Sequence, residues 1–119
     1  HIGQKEDKGG NSVKVQWFGK GTNLHAVWDT KMIEYWNMSY LELAESAEDL
    51  SKKQIKAIEV GTLADWVDEI HEVTRKVYKS AEVGENLRYR YSYDHFDTVR
   101  EQLQKGGIRL AKILNDIFA

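Results

Sequence analysis

The feature that most narrows what this chain can fold into is the apolar spacing of its second half. Leu63, Trp66, Val67, Ile70, Val73 and Val77 recur at intervals of three and four residues. Phe96, Val99, Leu103, Leu110, Ile113, Leu114 and Ile117 continue the pattern. Such spacing gathers apolar side chains on one face of an α-helix. None of the 119 residues is proline, so no helix is broken by a missing donor. Thr62 with Asp65 gives a capping-box-like start to a long helix, and the last helix is expected to begin near Ser92. Gly106-Gly107 interrupts it at about 1 kcal/mol per glycine relative to alanine, which a tight helix crossing or a kink would explain. Upstream, Thr22 or Asn23 can cap a helix running to about Asn37. Ser39 opens a short helix through Leu50, and Ser51 caps another that ends before Gly61.

Residues 1–11 are polar and turn-rich and read as a loop. From Ser12 to Phe18 the period changes: Val13, Val15 and Trp17 alternate with Lys14 and Gln16, the signature of a half-buried strand. Gly19-Lys20-Gly21 then turns the chain. Leu87, Tyr89 and Tyr91 alternate with Arg88 and Arg90, as a second strand or an extended loop would. The expectation is a mainly α domain with one short strand or hairpin near the N-terminus, loop and strand over 1–21 and helices over 22–119. With 41% apolar and 30% charged residues the chain suits a single globular unit.

Charge and cysteine usage exclude several functions. A net charge of −2 provides no global cationic field for a nucleic-acid backbone, so such a substrate would need local cations or metal. Without cysteine there are no disulfides, thiolate zinc fingers, iron–sulfur clusters or cysteine nucleophile. No apolar run approaches a membrane span. The chain opens at His1 without an initiator methionine, as a processed or cut product would, so the lack of a signal peptide leaves its location open.

His25 and Asp29 are the sharpest candidate pair. At i and i+4 they share a helix face, about 5–6 Å apart at Cβ, and an imidazole nitrogen with a carboxylate oxygen can hold a metal there. The same pair also suits a capped amphipathic helix with its acid near the positive end. His1, on a flexible glycine-containing arm, can fold back to add a second imidazole. Other candidates have plainer readings. Asp68-x-x-His71 occurs once and reads as a solvated face. Arg88-Tyr89-Arg90-Tyr91 interleaves cations and rings as single-strand binding surfaces do, and as surface loops do. His95 reads as a surface residue, and Trp28 and Trp66 read as packing residues.

The segment from His1 to Thr30 resembles the S1/P1 nuclease family. The resemblance is carried by His1, Gly9-Gly10-Asn11, the strand Val13–Phe18, and Asn23-Leu24-His25-Ala26-Val27-Trp28-Asp29-Thr30. It continues more weakly through Asp65-Trp66 and through Gln102-Leu103 with Gly107-Ile108-Arg109-Leu110-Ala111. It implies a helical bundle of the phospholipase C/P1 nuclease type and a zinc-dependent phosphodiesterase that cuts single-stranded DNA or RNA to 5′-nucleotides, with 3′-nucleotidase activity. Members of this family are about twice as long and hold three zinc ions. By resemblance His1, His25 and Asp29 would be the protein ligands of one of them, the ion that helps bind the scissile phosphate. Lys8, Gly9, Gly10 and Asn11 would form part of the nucleobase pocket; without the resemblance, the glycines are a turn before a strand. The chain then corresponds to the C-terminal half of the enzyme, a partial domain over 1–119 whose partner is the missing N-terminal half. A periplasmic or secreted location follows, with no membrane association, and the lack of cysteine points to a bacterial-type member. Two other readings stay open: a non-catalytic helical fragment that binds one zinc or none, and a zinc phospholipase C-like enzyme. The isolated fragment is expected to be inactive.

Overall fold

The computed structural model describes residues 9–36, 42 and 50–118. The chain enters through a tight hairpin. Strand β1 (Lys14–Trp17) pairs antiparallel with β2 (Lys20–Asn23), Val15 opposite Thr22 and Trp17 opposite Lys20. The other edge of β1 takes a two-residue strand, β3 (Asn86–Leu87), in parallel register, so the sheet order is β2-β1-β3. The first strand therefore has two partners, one local and one some 70 residues away.

From β2 the chain runs directly into a helical segment, α1. It consists of an α-turn (Leu24–Ala26), a π-helical stretch (Val27–Lys31) and a second α-turn (Met32–Tyr35). Asn23 caps it, its Oδ1 accepting from the Ala26 N–H at 2.8 Å. Helix α2 (Lys52–Glu59) starts at a capping box in which Ser51 and Gln54 satisfy each other's backbone donors. Helix α3 (Leu63–Lys79) starts at the same device from Thr62 and Asp65, as the sequence predicts. That pairing holds the Asp65 carboxyl below the usual carboxylate range. Helix α4 (Tyr89–Phe118) is continuous through Gly106 and Gly107. A Cβ on either glycine would meet no atom within 4 Å among the described residues, so neither a crossing nor a break accounts for them. The expected helix from Ser39 to Leu50 lies almost wholly outside the described residues.

Helix α4 begins at Tyr89 rather than Ser92, so the Arg–Tyr alternation is the first turn of a helix and only Leu87 belongs to a strand. Tyr91 turns inward and is buried, whereas Tyr89 is exposed. The core lies where α1 crosses the start of α4 beneath the sheet: Val15, Leu24, Val27, Met32, Leu87, Phe96 and Val99 are buried together, at about 1.5–3 kcal/mol for each large side chain. The mainly α expectation holds. Beyond the core, α4 carries Leu103, Leu110, Leu114 and Ile117 exposed. Helix α2 buries no residue of its own. It is tied down by Arg109 of α4, whose Nε donates to the Ile58 carbonyl at 3.1 Å while the guanidinium pairs with Glu69 of α3 and lies over the Trp66 ring.

Candidate functional site

Two glycines set the geometry. Gly9 and Gly10 both hold positive φ, 74° and 97°, a region that disfavours side chains. A Cβ on Gly10 would stand 3.1 Å from the His25 backbone nitrogen, so the close approach requires glycine. In that conformation the Gly10 carbonyl accepts from the Val13 and His25 N–H groups, at 3.2 and 3.3 Å, joining the loop to the start of α1. The Gly9 carbonyl lies 3.1 Å from His25 Nδ1. A carbonyl can only accept, so Nδ1 carries the proton and Nε2 presents a lone pair.

Nε2 faces Asp29, 3.6 Å from Oδ2. That is long for a hydrogen bond, but two donors at about 2.0–2.1 Å from one tetrahedral ion stand about 3.3 Å apart. The carbonyl behind the imidazole is the usual support of a metal-binding histidine, fixing both tautomer and ring. The imidazole is 28% exposed and the carboxylate 57%, so an ion there would be open to solvent on one side. Asp29 sits inside the π-helical stretch, a widened turn found often at functional sites. The structure thus brings His25, Asp29, Gly9 and Gly10 together. His1 and Lys8 lie outside the described residues, and among those described no group of three or more histidine or acidic side chains is assembled. The pair fits a metal as two of its ligands. Asn11 is half-buried next to the glycines, its carbonyl accepting from Lys14 Nζ at 3.2 Å.

Gly9, Gly10 and Asp29 border a cleft of about 480 Å³, walled by Trp28 of α1, Val77 of α3 and Val99 of α4. Its lining is mostly apolar, as a surface that takes a flat ring would be. Trp28 is fixed at its edge by a chain of hydrogen bonds running one way. Its Nε1–H donates to Tyr91 Oη at 2.8 Å, Tyr91 to Ser80 Oγ at 2.6 Å, and Ser80 to the Val77 carbonyl at 2.5 Å. Burial pushes the Tyr91 phenol up, against its hydrogen bonds with Ser80 and Trp28. His95 is no surface residue: it packs on the Tyr91 and Trp28 rings, centroids 4.4 and 5.7 Å away. Burial lowers its pKa below 6.5, with Asp94 opposing. Sequence reasoning missed this support. A helical reading of residues 89–99 would have found it, since Tyr91, His95 and Val99 follow at i, i+4 and i+8.

The remaining candidates do not converge here. Tyr91 is taken up in the core and Arg90 pairs with Asp94 at 3.2 Å, so Arg88–Tyr91 offers no alternating ladder. Trp66 packs as expected, its Nε1–H donating to the Val60 carbonyl at 3.0 Å.

The family profile described as S1/P1 Nuclease matches residues 1–119. Endonuclease 2 of Arabidopsis thaliana is 30% identical across 99% of the chain and 46% of its own length. Endonuclease 3 of the same plant is 31% identical across 100% of the chain and 46% of its own length. Nuclease S1 of Aspergillus oryzae is 38% identical over 66 residues, 54% of the chain and 23% of its own length. The chain spans about half the length of the plant relatives it matches.

Proposed function

The chain belongs to the S1/P1 nuclease family, and from that premise we propose that it supplies one zinc site and part of the nucleobase pocket of a phosphodiesterase acting on single-stranded DNA or RNA. The observation that carries this reading is the His25–Asp29 pair at 3.6 Å with the Gly9 carbonyl behind the imidazole. His25 and Asp29, with His1 as third ligand, would hold the ion. Bound zinc supplies Lewis acidity to a phosphoryl oxygen and lowers the pKa of bound water. The protein groups have separate tasks. Gly9 locks the tautomer that leaves Nε2 as donor. Asp29 brings the negative charge that balances the ion. Gly9 and Gly10, having no side chains, let a base approach their backbone, with Lys8 and Asn11 at the pocket's edge. On this reading the remaining zinc ligands would come from an N-terminal half of the enzyme, and the enzyme would be periplasmic or secreted, as the resemblance implies.

The test is zinc uptake and turnover of the complete enzyme. Asp29→Asn or His25→Ala should release about one zinc and abolish cleavage of a single-stranded oligonucleotide; retention of both zinc and activity would dismiss the assignment. One observation favours a second reading for the chain alone. The chain spans about half the length of the plant relatives it matches, so the isolated 119-residue protein is expected to show no cleavage.

A further inference from the structure

Helix α4 carries one apolar seam along most of its length, and only the first part of that seam is covered. Phe96, Val99, Leu103, Gly106, Leu110, Ile113 and Ile117 follow at alternating intervals of three and four, the heptad spacing of a helix that pairs with another. None of these residues is charged, although 30% of the chain is. Phe96 and Val99 are buried in the core. From Leu103 onward nothing among the described residues closes the same face. Leu103 is 51% exposed, Leu110 57%, Ile113 37% and Ile117 64%, with Leu114 beside them at 45% and Phe118 beyond them at 81%.

The open part of the seam is complementary to itself. Gly106 lies one turn before Leu110, and a Cβ there would meet no atom within 4 Å among the described residues, so a notch stands next to a knob. No crossing within the chain uses that notch. Two copies laid parallel would set Gly106 against Gly106 and leave a void. Laid antiparallel about a twofold axis near Ile108, they set the Leu110 of each copy into the notch of the other, with Leu103 opposite Ile113. Every contact then occurs twice, as a closed twofold pair requires. The glycine also lets the two backbones approach to about 8 Å, the short end of helix spacing. Covering the exposed parts of these side chains in both copies removes about 1,000 Å² from water, the least that a specific interface buries.

We propose that α4 pairs antiparallel with α4 of a second copy of this chain, through Leu103, Gly106, Leu110 and Ile113. The pairing covers the open seam and gives Gly106 a role that it lacks in the single chain. It goes beyond the nuclease reading and does not rest on it.

The test is sedimentation of the 119-residue protein between about 1 and 200 µM, the range suited to an interface of modest area. The mass should rise with concentration from the 13.8 kDa of one chain to twice that value. Leu110→Lys should weaken pairing more than about 30-fold, as loss of a central anchor does, and leave helix content unchanged because the side chain is exposed. Gly106→Leu separates fit from stickiness. It adds apolar surface and a better helix former, so the dilute monomer should unfold no more readily, yet the filled notch should weaken pairing about tenfold. The chain has no cysteine, so the Leu103→Cys and Ile113→Cys variants report the register: mixed and oxidised, they should cross-link to each other rather than each to itself. A monomer at every concentration would overturn the proposal and leave the face to the N-terminal half of the enzyme. So would a dimer that survives Leu110→Lys, that Gly106→Leu leaves as tight or tighter, or in which the Leu103→Cys variant cross-links to itself.

Discussion

At the scale of single residues, the candidate site depends on backbone as much as on side chains. Gly10→Ala puts a Cβ against the His25 nitrogen in a left-handed conformation, and should lower stability by about 1–2 kcal/mol. It should also weaken zinc binding, because the adjoining Gly9 carbonyl no longer meets the imidazole squarely; a denaturant midpoint and a zinc titration read the two effects. The His25–Asp29 pair is legible in the sequence, since i and i+4 fix neighbours on a helix. The carbonyl behind the imidazole is not, because a contact between residues 9 and 25 depends on how loop and helix meet. His95 carries the pH prediction. Its folded pKa is lowered, so between that value and 6.5 the unfolded chain binds more protons than the folded one, and stability rises with pH. The melting temperature should therefore drop as pH falls below about 6.5, and His95→Gln should flatten that part of the profile.

At the scale of elements, sequence reasoning did best where the cause is local. The Thr62–Asp65 capping box forms as predicted and Ser51 caps its helix as predicted, with Gln54 completing a second box; Thr62→Ala should cost about 1 kcal/mol, measurable by thermal unfolding. Where partners are distant, local reasoning failed. Nothing in Val27–Lys31 announces a π-helical stretch, and the Arg–Tyr alternation imitates a strand although Tyr89, Arg90 and Tyr91 open α4. The glycine pair in α4 yields a sharper test. Both positions are exposed and have room for a methyl group among the described residues, so Gly106→Ala and Gly107→Ala should each stabilise the protein by about 1 kcal/mol. A loss instead would mean that the helix face around them is not open.

At the scale of the whole molecule, two fastenings tie together segments far apart in the sequence. Arg109 links α2, α3 and α4 through Ile58, Glu69 and Trp66. Its partner Glu69 is held below the usual carboxylate range, chiefly by the Arg109 hydrogen bond. The Arg109 side chain is 11% exposed and that of Glu69 39%, so Arg109→Ala should cost about 2–3 kcal/mol, between exposed and buried pairs. Since a depressed carboxylate stabilises only while ionised, that contribution should vanish as pH falls below about 4 through the folded pKa, as acid titrations of the two proteins would show. The other fastening is the sheet, in which β3 pairs with β1 and the Asn86 side chain accepts from the Gly19 N–H at 2.8 Å. That closure has a kinetic consequence. The turn at the hairpin tip can form within microseconds, as local hairpins do. Its second edge must wait for a segment nearly seventy residues downstream, across a loop whose closure entropy grows with length. Helix content should therefore return in refolding before the tryptophan environment of β1 settles. The His25–Asp29 geometry proposed to hold zinc, next to that hairpin, should be among the last features to mature.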